Sequence, residues 1–424
     1  MESLSLQPFL QSLHKEQWQE VRLGDITSII GDGLHGTPNF DVNGECFFIN
    51  GNNLNDGQII IKKDTKKVSS IECAKYKKDI NEKTILISIN GTLGNMALYR
   101  GENIMLGKSA CYLNFKDNVS RNFMRYVIIN NDFQRYLNIS ATGTTILNVS
   151  LKAIRDFTFL LPPLTIQQKI AEILSSFDDK IDLLHRQNKT LESLALTLFR
   201  HYFIDNPRNP KSVVGVGESL RGGGSDFAIQ APPSSHQKSG KWEMGKLGDY
   251  VRIELGGTPN TAKSEYWGGD IAWINSGEIN KFRIVKPTKT ITKLGFEKSS
   301  TKLLPKGSVV IAITGATLGQ VSLLEIDSCA NQSVVGVIPN DDFSSEFLYL
   351  WIKFNIDEII LNQTGGAQQH INKNDIANYH IIKPDKESLA SVNLKTYFEK
   401  ISHNTKQIQN LQAMRDMLFK AIFA

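Results

Sequence analysis

The stretch IAEILSSFDDKIDLLHRQNKTLESLALTLF, residues 170–199, decides the architecture. Its apolar residues fall at Ile170, Leu174, Phe177, Ile181, Leu184, Leu191, Ala195 and Leu198, with Asn188 filling the one gap, so steps of three and four alternate without a break. That is the seam of a heptad helix. A second stripe runs through Leu394, Tyr397, Ile401, Asn404, Ile408, Leu411, Arg415, Leu418 and Ile422. A lone stripe would read as a helix folded onto its own domain. Two matched stripes, each with an interior Asn, instead predict helices that pack on each other as an antiparallel pair. Asn188 and Asn404 are then the register positions, because a buried amide in a seam fixes alignment while lowering stability. At about 1.5 Å per residue each helix spans about 50–60 Å, a spacer rather than a loop.

Outward from these helices the chain is a duplication. Trp18 and Leu23-Gly24-Asp25 recur as Trp242 and Leu247-Gly248-Asp249, and Gly36-Thr37-Pro38 as Gly257-Thr258-Pro259. Ile85 to Ile89 with Gly91 and Thr92-Leu93-Gly94 matches Val309 to Ile313 with Gly315 and Thr317-Leu318-Gly319; Gly107-Lys108-Ser109 faces Asn331-Gln332-Ser333. Thr142-Gly143, Ile154 and Pro162 return as Thr364-Gly365, Ile376 and Pro384. Two copies are too few for a solenoid, so we expect two globular domains of one fold, at 1–162 and 241–384. Spacer helices follow at 163–205 and 385–424, and residues 206–240, with Gly222-Gly223-Gly224 and Pro232-Pro233, read as a flexible linker. Within each copy short β-rich runs (Phe47 to Ile49, Gln58 to Ile61, Ile85 to Ile89, Ala110 to Phe115; Val309 to Ile313, Val334 to Ile338) precede one helix, Arg121 to Leu137 or Ser345 to Leu361. The class is α+β: two similar mixed α/β domains separated by two long helices.

Composition sets the outer limits. The 424 residues suggest about three structural units, and 21% charged with 41% apolar residues is ordinary globular material. No apolar run approaches the roughly 18 residues of a membrane span, and Glu2 with the polar run Gln11 to Gln19 argues against a secretory signal. Cys46, Cys73, Cys111 and Cys329 stand far apart with no CxxC pair, which points away from a disulfide framework or zinc cage and toward a reducing cytoplasm. The net charge of +5 permits nucleic-acid binding without demanding it.

Catalytic constellations are missing. Gly107-Lys108-Ser109 imitates the end of a phosphate-binding loop, but Glu102 stands where its first glycine belongs and the residues that follow read as a strand, not a helix. Gly215-Val216-Gly217 lacks the third glycine of a dinucleotide fingerprint, and Asn206-Pro207-Arg208 lacks the second proline and aromatic of an amino-methyltransferase tetrad. The eight histidines are scattered, and no metal site is expected. What remains is binding chemistry. Lys62, Lys63, Lys66, Lys67, Lys75, Lys77, Lys78 and Lys83 crowd one copy; Lys281, Arg283, Lys286, Lys289, Lys293, Lys298, Lys302 and Lys306 crowd the other. A single run of this kind is usually a solvated face, but recurrence in both copies suits phosphate neutralisation.

Base reading needs amides, hydroxyls and cations presented by loops. In the first copy the candidates are His35, Thr37, Asn39, Lys66, Lys67, Asn90, Thr92, Lys108, Ser109, Thr142, Thr144, Thr145 and Asn148. In the second they are Thr258, Asn260, Lys263, Tyr266, Lys289, Thr314, Thr317, Asn331, Gln332, Thr364, Gln368, Gln369, His370 and Asn372. Turn chemistry alone also enriches Asn, Thr and Gly.

In combination these features resemble the DNA-specificity (S) subunit of type I restriction–modification systems. The resemblance is carried by the Trp…Leu-Gly-Asp opening of each copy, Gly256-Gly257-Thr258-Pro259, Tyr266-Trp267-Gly268 with Trp273-Ile274, and the Thr-Leu-Gly turns. It continues through Asn331-Gln332, Leu161-Pro162-Pro163-Leu164, Gln167-Gln168-Lys169-Ile170-Ala171, and the Asn188, Leu191-Glu192, Leu198-Phe199 pattern. It implies two target-recognition domains, each reading one half of an asymmetric bipartite sequence in double-stranded DNA, with the helices setting the gap. It also implies docking of modification (methyltransferase) subunits, expected as two, and of restriction (endonuclease/translocase) subunits. The chain itself would be non-catalytic, cytoplasmic and without a bound cofactor; S-adenosylmethionine, and ATP and Mg in the restriction complex, would sit on the partners. The first copy departs from the pattern in lacking the doubled glycine and the Tyr-Trp-Gly step, and the second helix is entered through Pro384-Asp385-Lys386-Glu387. A stand-alone two-domain DNA-binding regulator and a two-domain adhesin or carbohydrate binder are the alternative readings.

Overall fold

The structure is a computed structural model that describes residues 6–11, 13–211, 240–361 and 370–423. Most of the expected linker, and Thr364, Gly365, Gln368 and Gln369, lie outside the described residues. The chain divides into two units, residues 1–182 with 409–424, and residues 183–408. Each unit therefore combines one globular copy with a segment of each long helix.

In the first unit Thr27–Asp32, Ala110–Phe115, Thr84–Ser88 and Met96–Leu98 form, in that order, an antiparallel four-stranded sheet. Beside it, Cys46–Ile49 pairs with Lys67–Val68 and, in parallel, with Ile104–Leu106. The central strands are buried on both faces, which is why they read as unbroken apolar runs rather than alternating ones. Ile85, Ile87, Cys111 and Leu113 enter one core, while Leu86, Ala110 and Tyr112 enter another. Fully burying each such aliphatic side chain is worth about 1.5–3 kcal/mol.

The second unit repeats this plan with one strand more. Arg252–Leu255, Val334–Ile338, Val309–Ala312, Val321–Leu324 and Arg283–Ile284 make the sheet, and Trp267–Ile274 runs between Lys289–Ile291 and Cys329–Ala330. Val309 and Ile311 face one core and Val310 and Ala312 the other. In both units a short ladder closes the domain at the foot of its following helix: Gln19–Arg22 with Thr158–Leu161, and Glu243–Lys246 with His380–Lys383.

The long helices are Leu164–Phe199, continued by a π-turn at Arg200–Ile204, and Leu394–Phe423. In the first unit Ile170 and Leu174 share a core with Leu418 and Ile422; in the second, Ala195 and Phe199 share one with Leu394 and Phe398. Low numbers on one helix meet high numbers on the other in each unit, so the segments run antiparallel. Near the end of the first helix Phe199 is fully buried and Leu198 only partly so. A helix of 3.6 residues per turn drifts off a strict heptad, and the seam has moved by one residue.

The seams also meet a third helix. In the second unit this is Ser345–Leu361, buried from Phe347 to Ile352 without a polar face, as a helix enclosed on all sides must be. Its Phe347 ring lies 5.3 Å from Phe199, and its Tyr349 ring 5.8 Å from Phe398. In the first unit the expected single helix Arg121 to Leu137 is two, Arg121–Ile129 and Asn131–Ser140. Asn130 ends one and caps the next, because its short amide competes with the helical backbone for hydrogen bonds. Residues 385–424 likewise hold a short helix, Lys386–Ser391, before the long one.

One disulfide, Cys46–Cys73, joins a strand to the helix Ser70–Lys75, with Cα atoms 6.3 Å apart. A single pair is not the disulfide framework that the spacing argued against: 27 residues separate the two cysteines in sequence, and the packing of helix on strand brings them together. Cys111 and Cys329 are buried thiols, and burial pushes Cys329 up to about 11.

Candidate nucleic-acid interface

Antiparallel pairing gathers the candidate loops. In the first unit Asp32 lies opposite Cys111, Ser88 opposite Ala110, and Ile87 opposite Met96. Two strands therefore finish at the end of the sheet where two others begin, and the loops after Asp32 and Ser88 and before Ala110 emerge together. They carry His35, Thr37 and Asn39, then Asn90 and Thr92, then Lys108 and Ser109. The turn 142–148 is tied to the same end, since Val149 N donates to Ile89 O at 2.9 Å and Asn90 Nδ2 to Asn148 Oδ1 at 3.2 Å. Thr142, Thr144 and Thr145 are exposed within it.

The second unit builds the same end from the same pairings, with Leu255 opposite Val335 and Ala312 opposite Val334. Thr258, Asn260, Lys263 and Tyr266 follow the first of these strands, Thr314 and Thr317 follow the second, and Asn331 and Gln332 precede Val334. Ile371 N donates to Ile313 O at 3.1 Å, which brings His370 and Asn372 to that end.

Several candidates serve the fold instead. The Ser109 hydroxyl donates to Asn50 Oδ1 at 2.8 Å and accepts from Gly51 N at 2.9 Å. Tyr266 is buried, and its hydroxyl takes the Lys263 ammonium at 3.3 Å. Asn372 caps the helix Lys373–Asn378, accepting from Asn374 N and Asp375 N. His35 Nε2 meets Asp32 Oδ2 at 2.6 Å and the Asn39 backbone N–H donates to Glu72 Oε1 at 3.1 Å, yet both of these residues stay exposed and remain on the candidate surface. Lys67 lies on a strand with its ammonium 5.3 Å from the Phe47 ring centre, and the Lys289 ammonium sits 5.5 Å from that of Trp267.

The first lysine run is divided between two clefts and an ion pair. Lys62 and Lys66 line a cleft of about 330 Å³ with Thr37, Asn50, Asn52 and Thr65 over a floor of Phe40 and Phe48. Lys77 and Lys78 line a different cleft beside Tyr99 and Glu102, and Lys83 is paired with Asp117. Arg283 is corrected outright. It is buried, ion-paired to Glu325, and donates from Nη2 to Phe398 O at 2.8 Å, so it anchors the second long helix. The Asn50-Gly51-Asn52-Asn53 turn, which the sequence candidates do not include, lines the Phe40–Phe48 cleft too, with Asn52 exposed and Asn53 buried. A Gly/Asn run closing a β-rich stretch was the signal available.

The repeat also shifts at one motif. Gly256 N and Gly257 N donate to Val334 O and Ala330 O at 3.0 and 2.8 Å; Gly33 N and Leu34 N donate to Ala110 O and Leu106 O at 3.2 and 2.7 Å. Gly33-Leu34, not Gly36, thus occupies the place of the doubled glycine. A Cβ on Gly33 or Gly256 would lie 2.2 or 2.1 Å from a backbone carbonyl oxygen, so neither position admits a side chain.

The family described as type I restriction modification DNA specificity domain matches residues 15–193 and 239–413. The chain belongs to that family. It is 26% identical over 345 residues to the type I restriction enzyme HindI specificity subunit of Haemophilus influenzae, covering 70% of this chain and 75% of that one. It is 25% identical over 349 residues to the MjaIX specificity subunit of Methanocaldococcus jannaschii, covering 80% and 77%. The fold is that of the type I restriction–modification S subunit from M. genitalium, with a TM-score of 0.57 at 16% identity over 96% of each chain.

Proposed function

We propose that this chain is the DNA-reading subunit of a type I restriction–modification complex, each globular domain contacting one half of an asymmetric bipartite target. The observation that carries this is the duplicated sheet end: one backbone frame in both units, presenting Lys108, Asn90, Thr144 and Thr145 in one and Gln332, Thr314 and Thr317 in the other. Like frames with unlike side chains read unlike half-sites, because specificity resides in the groups offered to base edges and not in the fold.

In this reading the globular domains are residues 1–162 and 241–384, the helices within 163–205 and 385–424 set the unread gap, and modification subunits dock on them. The chain performs no chemistry. S-adenosylmethionine belongs to the modification subunits, and ATP and Mg to the restriction subunits. No helix among the described residues is long and apolar enough to cross a membrane, and none of their His, Cys, Asp and Glu side chains group as a metal site; the cytoplasm is the proposed compartment. Family membership leaves the stand-alone regulator and the adhesin without support.

The test is methylation mapping on DNA after co-expression with modification subunits, for the native chain and for one with residues 241–384 exchanged for those of a relative. A bipartite motif that changes in one half only is the expected result. Both halves changing together, or no motif, would overturn the proposal.

A further inference from the structure

The turn that precedes the central strand Ala110–Phe115 or Val334–Ile338 is held alike in both units. Gly107 N donates to Ile49 O and Asn331 N to Ile274 O; Ala110 N donates to Gly107 O and Val334 N to Asn331 O, each at 3.1 Å. Ile89 N donates to Ser109 O and Ile313 N to Ser333 O, each at 3.0 Å. Three matched pairs of backbone hydrogen bonds make Lys108 and Gln332 the same structural position, the exposed tip of the turn. Within that preserved frame the chemistry changes completely, from a cation that only donates to an amide that both donates and accepts.

The two tips are also held differently. Lys108 is exposed, and no described residue pairs with its ammonium. The Gln332 amide is exposed and tethered: the Thr258 hydroxyl donates to its Oε1, which leaves a second lone pair on that oxygen and both Nε2 protons without a partner among the described residues. A donor-only tip matches the paired N7 and O6 acceptors of guanine. A tethered amide matches adenine, accepting from N6 and donating to N7.

We propose that position 108/332 is an equivalent base-reading position in the two domains, with Lys108 selecting a guanine in one half-site and Gln332 an adenine in the other. Thr258 is a positioning residue for Gln332. This rests on the DNA-reading function proposed above and adds to it which residue reads which base.

The test uses the full complex with modification subunits and the motif mapped for the native chain. Equilibrium competition with duplexes carrying each single base-pair substitution is run for native, Lys108→Ala, Gln332→Ala, Thr258→Val, and the exchanged Lys108→Gln and Gln332→Lys chains. For Lys108→Ala, a preference on the order of 10- to 100-fold should fall to near one at a single guanine position and stay intact elsewhere. Gln332→Ala should do the same at one adenine in the other half, with Thr258→Val weakening that same discrimination. Lys108→Gln should move its position toward adenine. A uniform loss at all positions would make Lys108 a phosphate contact, and an unchanged profile would make either residue a bystander; each overturns the proposal. Absence of a bipartite motif for the native complex would instead sink the function on which it stands.

Discussion

Asn404 donates from Nδ2 to Asn188 Oδ1 at 2.9 Å, joining the two long helices through a pair of seam amides in the second unit. Asn188 in turn donates to Thr405 Oγ1 at 3.4 Å, while Asn404 is fully buried and its own Oδ1 has no protein partner. An amide pair in an apolar seam stabilises less than two leucines would, but it allows one alignment only, since any slip would bury both amides without partners.

The pair therefore makes opposite demands on stability and register. Asn188→Leu alone should lower stability by about 1–3 kcal/mol, because it strands the buried Asn404 amide. Asn188→Leu with Asn404→Leu should raise the denaturant midpoint above the native value. Spin labels at exposed Lys189 and Lys406 should then show a broadened distance distribution. A double variant less stable than either single one would refute this.

In the first unit the corresponding polar hub is Asp178. It accepts from Arg125 Nη2 at 3.0 Å, Tyr126 Oη at 2.8 Å and Arg415 Nη1 at 3.0 Å, and is nearly buried. Burial and the neighbouring carboxylate hold the Tyr126 hydroxyl well above its usual pKa, so it stays a donor. Asp178→Ala should cost about 3 kcal/mol, since it leaves partly buried cations without their anion. Arg415→Ala should cost about 1 kcal/mol, because that guanidinium is a third exposed and also bonded to Asp416. Chemical denaturation gives both numbers, and equal losses would deny Asp178 its central place.

Acid should loosen the entry to the second long helix. Burial alone would raise the Asp385 carboxyl, but the Ser388 backbone N–H at 2.9 Å and the Arg208 guanidinium at 2.5 Å outweigh it and hold it at about 2, against an ordinary 3.8. A folded-state pKa below the unfolded one contributes stability that is complete above about pH 5 and is lost as pH falls toward 2. The contribution is roughly 1–2 kcal/mol after solvent screening. The stability gap between native protein and Asp385→Asn should accordingly shrink between pH 6 and pH 3; a constant gap would exclude the linkage.

Lys62 and Lys66 share the rim of the Phe40–Phe48 cleft, and cations there can meet phosphates but carry no sequence information. Replacing both with alanine should weaken binding to matched and mismatched duplexes alike. The slope of log affinity against log salt should become shallower by about 1.8, about 0.9 for each lost phosphate contact. An unaltered slope, measured by titration at several salt concentrations, would place these lysines off the DNA.

The heptad spacing of 170–199 and the apolar runs at Ile85 to Ile89 and Val309 to Ile313 were legible because each is a local signal, a period of 3.5 in the helix and a short continuous apolar run in a strand buried on both faces. The gathering of glycine-punctuated loops at one sheet end could be anticipated only as a list of loops. Their convergence follows from antiparallel pairing, such as Ala110 opposite Ser88, between residues far apart in sequence. Arg283 shows the limit clearly. It stands in a lysine-rich run and reads as a surface cation, yet Glu325 and the Phe398 carbonyl, 42 and 115 residues away, draw it inside. Ser109 and Tyr266 left the candidate surface for the same kind of reason, through Asn50 and Lys263.

What the amino-acid order determined unaided was the duplication and the two seam helices with their interior amides, both of them patterns of residue type and spacing. Tertiary structure alone decided which polar groups remain free at the sheet ends and which are used within the fold. It also decided that Gly33, not Gly36, answers the doubled glycine, and that Cys46 meets Cys73. The physical reason is that satisfaction of a donor, an acceptor or a charge depends on its neighbours in space, and those are chosen by packing over distances the local pattern does not encode.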